Sequence, residues 1–109
     1  MSNEIVEDHD ICHEMCIGEI LNEKNSEYPL FYAKLYGDRV ATAKLSKRLS
    51  CSIKHLPIRI FFDYEYDTLK ALEAGVRKNP TLILEGKIFL EGLIQAEDIT
   101  KVFQKFLKI

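Results

Sequence analysis

The stretch from Ala74 to Gly92 constrains this chain more than any other: Ala-Gly-Val-Arg-Lys-Asn-Pro-Thr-Leu-Ile-Leu-Glu-Gly-Lys-Ile-Phe-Leu-Glu-Gly. A helix that ends near Gly75 meets a polar run and then Asn79-Pro80, where proline opens an apolar segment. Residues 81–85 and 87–91 read as strands flanking Glu85-Gly86, a short turn of the kind that closes a hairpin. The last two strands are therefore antiparallel neighbours.

Upstream, the pattern alternates helices with strands. Residues 4–23 suit a helix, with Cys12, Cys16 and Ile20 four apart and Ile17 and Leu21 alongside. A polar break over 24–29 leads into residues 30–36, nearly continuous in apolar and aromatic side chains, as in a strand covered on both faces. Ala41, Leu45, Leu49 and Ile53 mark one face of a second helix. Residues 58–64 form another β-rich run after Pro57. Asp67 or Thr68 caps a short helix carrying Leu69, Leu72 and Val76 on one side, and Ile99, Val102, Phe103 and Phe106 recur along a terminal amphipathic helix. Strands 30–36 and 58–64, joined through a helix, are expected to be parallel with a right-handed crossover.

Length and charge exclude several classes. With 109 residues the chain is expected to form one domain, 1–109, and its formal charge of −2 shows no basic excess for nucleic acid. The first residues are acidic, with no signal-peptide pattern, and no apolar run reaches the roughly 18 to 20 residues of a membrane helix. The expectation is a cytoplasmic protein with no membrane partner. Three cysteines, an odd number, argue against a disulfide framework and suit a reduced setting.

The element order α-β-α-β-α-β-β-α, together with Gly75 to Gly92 and its Asn79-Pro80, resembles the thioredoxin-like superfamily, in particular its small redox-active-disulfide branch. The resemblance implies an α/β fold with a four-stranded mixed sheet, in the order 58–64, 30–36, 81–85, 87–91, and helices on both faces. It also implies a cis proline at Pro80 that turns Asn79 toward a bound peptide, and a Cys-x-x-Cys motif at the start of the second helix. A helix N-terminus lowers a thiol pKa, so that is where the chemistry needs the dithiol. Here the matching segment is Tyr-Gly-Asp-Arg-Val-Ala-Thr-Ala-Lys-Leu, and Arg39 and Thr42 stand where the cysteines would be. No cysteine lies between Cys16 and Cys51, and neither arginine nor threonine exchanges disulfides.

Two roles are open to this segment. Arg39 beside a helix end can hold a carboxylate or phosphate; alternatively Asp38 caps the helix and Arg39 is a solvated side chain. The candidate binding residues are Gly37, Asp38, Arg39, Thr42, Asn79 and Pro80. On an N-terminal helix, His9, Cys12, His13 and Cys16 would share an arc of about 100°. That arc suits a core-facing stripe, a metal site or a redox pair of Cys12 and Cys16. One straight helix cannot wrap four ligands around an ion, so a metal would need His55 or another chain. Cys51 lies about 13 Å along the second helix from Thr42 and takes a structural role. Asp63, Glu65 and Asp67 are expected to be solvated or capping, not a cation site.

The sequence thus points to a thioredoxin-like domain without its usual dithiol, holding a peptide or protein partner beside Pro80 and needing no cofactor. The alternative is an atypical thiol-disulfide or metal-responsive protein using Cys12 and Cys16.

Overall fold

A computed structural model of the chain describes residues 13–109. It is mixed α/β, with a five-stranded mixed sheet and three helices among the described residues. The fifth strand corrects the four-stranded expectation, and it comes from the segment expected to be helical. Residues 13–23 contain no helix; the remainder of the expected helix, 4–12, lies outside the described residues. Gly18 and Asn22 stand at φ 84° and 63°, left-handed backbone that breaks a helix. Between them β1 (Ile20–Leu21) pairs antiparallel with the outer edge of β3 (Arg59–Glu65). There Gly18 N–H donates to Phe62 O at 2.9 Å and Phe62 N–H to Glu19 O at 3.0 Å. The pairing satisfies backbone groups that a helix here would have left open on the strand edge.

The segment before β1 is sewn onto the body of the protein. Met15 is buried, its N–H donates to Ser46 Oγ at 2.7 Å, and Ser50 Oγ donates to His13 O at 2.9 Å. The Tyr64 hydroxyl donates to Met15 O and lies 3.0 Å from Ser46 Oγ. Burial pushes the Tyr64 pKa up to about 12, against the lowering effect of the Ser46 hydrogen bond.

β2 (Leu30–Tyr36) runs parallel to β3 along its whole length, from Leu30 opposite Arg59 to Tyr36 opposite Glu65. The crossover between them is α1 (Arg39–Ile53), whose Leu45, Leu49 and Ile53 are wholly buried. After β3 come α2 (Thr68–Glu73), β4 (Thr81–Leu84), β5 (Lys87–Glu91) and α3 (Ala96–Leu107). β4 is antiparallel to β2 and to β5, so the sheet order is β1-β3-β2-β4-β5. Glu85 and Gly86 both take positive φ, 52° and 82°, which the tight turn between β4 and β5 requires.

Strand side chains alternate between faces, so the sheet builds two unequal layers. On one face Leu35, Ile60, Phe62 and Leu82 meet α1 and α3, whose Ile99 and Phe103 are fully buried. The other face holds a small cluster of Tyr36, Ile83 and Val76, with Ala71 and Ala74 against it. α2 does not present Leu69, Leu72 and Val76 together, as its spacing suggested. The helix stops at Glu73, Gly75 at φ 85° redirects the chain, and Val76 turns in while Leu69 and Leu72 stay exposed.

Candidate functional site

Because β2 and β4 are neighbours, with Tyr36 opposite Thr81, the segment after β2 and the segment before β4 emerge side by side. Gly37 sits at the meeting point with φ 144°. A Cβ there would fall 2.2 Å from Asn79 Oδ1 and 3.2 Å from Pro80 Cα, so only glycine lets the Asn79 side chain lie across the loop. Asn79 then clasps Asp38 twice: its Oδ1 accepts from Asp38 N–H at 3.0 Å, and its Nδ2 donates to Asp38 Oδ2 at 2.5 Å. The Asn79-Pro80 peptide is cis. Pro80 itself is buried, and its carbonyl accepts from Gly92 N–H at 2.7 Å.

Asp38 does most of the local work. Its Oδ1 accepts the Ala41 N–H at 2.7 Å, capping α1. That helix amide first, and the Asn79 amide second, hold its carboxyl below the usual carboxylate range. The first turn of α1 is thus served by the chain's own carboxylate. Thr42 is buried, and its hydroxyl is directed back to Asp38 O at 2.9 Å and Arg39 O at 3.2 Å. Arg39 is exposed, with its guanidinium carbon 4.4 Å from the centre of the Tyr66 ring. Tyr66 in turn lies parallel to Tyr64, 6.1 Å between centroids.

Between the Asn79 clasp and α2 opens a cavity of about 710 Å³, whose lining includes Asp38, Tyr66, Leu72, Val76, Arg77 and Lys78. Ala71 and Leu72 form an apolar wall. Of the six candidate binding residues, Gly37, Asp38 and Asn79 are among its lining and Arg39, Thr42 and Pro80 are not. The Asn79–Asp38 hydrogen bonds join the two segments expected to flank a groove, and the cavity opens on the α2 side of them. Reading the sequence missed Tyr66, Leu72, Arg77 and Lys78. The usable signal was Ala71 and Ala74, small residues three apart that sit against a sheet and turn the leucines outward.

The amino-terminal constellation does not assemble among the described residues. His9 and Cys12 lie outside them. His13 and Cys16 are exposed in a non-helical segment, with Cys16 a free thiol whose N–H donates to Glu19 Oε1 at 2.7 Å. The shared helical arc is thereby corrected for residues 13–16. Cys51, on α1, is disulfide-bonded, which the expectation of a reduced chain did not include. His55 is exposed, and among the described residues no group of three or more His, Cys, Asp or Glu is placed to hold a metal ion. Of the acidic residues at the end of β3 and just beyond it, Glu65 lies 3.8 Å from Lys70 and 4.0 Å from Lys34, Asp63 lies 3.9 Å from Lys34, and Asp67 caps α2 through Leu69 N–H at 2.8 Å.

No protein-family model matches the chain, and neither a curated protein nor a solved structure does. No helix among the described residues is long and apolar enough to cross a membrane.

Proposed function

We propose that this chain is a thioredoxin-like domain spanning 1–109 that binds a peptide or protein partner and performs no thiol chemistry at the usual position. The observation that carries the reading is the cavity of about 710 Å³ opening beside the clasp of Gly37, Asp38 and Asn79. Among the described residues no hydrogen bond engages the Asn79 backbone N–H or C=O, so both are available to an incoming chain. The succession β2-α1-β3-α2-β4-β5-α3, with its parallel first pair and antiparallel closing hairpin, supports the superfamily reading. Arg39 and Thr42 support the loss of catalysis, since neither can form a thiolate.

The test has two arms. Insulin-disulfide reduction with a suitable reductant should run no faster with the protein than without it. Phage-displayed peptides selected on the intact protein should lose binding to Leu72→Asp and keep it with Ile109→Asp, an exposed apolar site at the chain end. Peptides that bind both variants equally would move the site elsewhere, and reductase activity lost with Cys16→Ser would make the protein a thiol enzyme.

A further inference from the structure

The cavity's charged groups are not equivalent. Asp38 and Asp67 cap α1 and α2, their oxygens occupied by the Ala41 and Leu69 amides and, for Asp38, by Asn79 as well. A carboxylate at a helix N-terminus is locally offset by the positive end of the helix, most strongly for the fifteen-residue α1. Arg77 and Lys78 have no such compensation. Both are exposed, and neither has an ion-pair partner among the described residues, whereas nearby Lys70 is matched to Glu65. The Lys78 stem passes Gly92, whose Cβ position lies 3.9 Å from Lys78 Cδ. Two uncompensated cations thus stand together beside the apolar wall of Ala71, Leu72 and Val76. Leu72 is 69% exposed, an apolar surface that covering would remove from water.

We infer that the groove selects an internal peptide segment in which acidic side chains adjoin apolar ones, the acids meeting Arg77 and Lys78 and the apolar groups covering Leu72. This rests on the peptide-binding reading above. The acids answer the unpaired cations, and the neighbouring apolar side chains answer the exposed wall.

Fluorescence anisotropy on the full chain tests it with three fluorescein-labelled octapeptides. One carries two glutamates beside two leucines and an amidated C-terminus; one replaces the glutamates by lysines; one replaces them by glutamines and leaves the C-terminus free. The glutamate peptide should bind about tenfold or more tighter than the lysine peptide at low salt, with the gap narrowing as salt rises. Neutralising either cation, in Arg77→Gln or Lys78→Gln, should weaken the glutamate peptide about two- to fivefold. The double reversal Arg77→Glu with Lys78→Glu, in a variant whose circular dichroism and urea midpoint match those of the unaltered chain, should exchange the preference and favour the lysine peptide. A folded variant that kept the glutamate preference would overturn the role of the two cations. Equal binding of glutamate and lysine peptides by the unaltered chain would overturn the acidic selectivity and leave the groove reading standing. Preference for the free C-terminus alone would overturn it in favour of terminus capture. Failure of all three to bind would remove both readings.

Discussion

The two faces of the sheet are built from the same strands but carry different loads. On the α1/α3 face, Leu35, Phe62, Leu82 and Phe103 are wholly buried, and Phe89 packs 4.8 Å from the Phe103 ring and 5.3 Å from that of Phe106. On the opposite face a six-residue helix covers only the end near Tyr36, leaving Tyr32 56% exposed and Leu72 projecting into solvent. The difference lies in what stays exposed. The first face holds the fold together, while the thinly covered one leaves Leu72, Arg77 and Lys78 in solvent, the surface on which the proposed binding rests. Leu49→Ala should therefore produce the largest loss, about 2–5 kcal/mol, by opening a cavity under α1. Urea denaturation measures it. A loss below about 1 kcal/mol would mean that the α1 face is not the principal store of stability.

Gly37 stands between β2 and α1, against Asn79 and Pro80, and its replacement asks whether the clasp is structural. In Gly37→Ala the new methyl and the Asn79 amide oxygen cannot both keep their places, and the positive φ is strained for any L side chain. The expected cost is about 1–3 kcal/mol. Asn79→Ala in the same background separates the two causes. If removing the asparagine side chain restores stability, the collision dominates; if it does not, the backbone does.

The heavily packed half of the molecule was legible in the sequence. Leu45, Leu49 and Ile53 repeat at helical spacing, and Leu35 and Phe62 are wholly buried in apolar strands. The expectation that 30–36 is covered on both faces is corrected, because the face opposite α1 and α3 buries Tyr36 but leaves Tyr32 56% exposed. The hairpin was legible because Glu85-Gly86 punctuates it. The amino-terminal region was misread because 12, 16 and 20 keep helical spacing although Gly18 and Asn22 turn left-handed. A competing set of partners on the edge of β3 and on Ser46 and Ser50 decided the matter, and such tertiary partners leave no local periodicity. In the site, the Asp38 cap was readable from residue type, but its bond to Asn79 joins positions 41 apart. The spacing of Leu69, Leu72 and Val76 suggests one shared side, but the helix stops at Glu73 and Gly75 turns left-handed, so Val76 leaves the phase of the two leucines.

Asp38→Ala should cost less than the glycine replacement, and it carries a pH signature. The folded protein holds this carboxyl below its ordinary value of 3.8, through the Ala41 amide and then Asn79. A depressed folded pKa contributes stability that is present above the ordinary value and lost as pH falls through the lower, folded one. The stability gap between the unaltered chain and Asp38→Ala should stay constant from neutrality to about pH 4 and close below it. Denaturation midpoints across that range decide the point. A gap that persisted at the acid end would mean that the charge of Asp38 is not what caps α1.

The smallest expected effect on stability is the sharpest test of the division between faces. Leu72→Ala makes the same chemical change as Leu49→Ala, but at a side chain 69% exposed instead of wholly buried. It opens no cavity, and alanine is the better helix former, so stability should move by no more than about 0.5 kcal/mol. Binding should respond the other way. Leu72 supplies apolar surface beside Arg77 and Lys78, and truncating it should weaken the glutamate-leucine peptide several-fold while Leu49→Ala, measured where it remains folded, leaves that affinity unchanged. A Leu72→Ala protein that binds normally would show that the charged pair acts without the wall. One that is destabilised as severely as Leu49→Ala would show that α2 is packed more tightly than its exposure indicates, and the contrast between the two faces would fall.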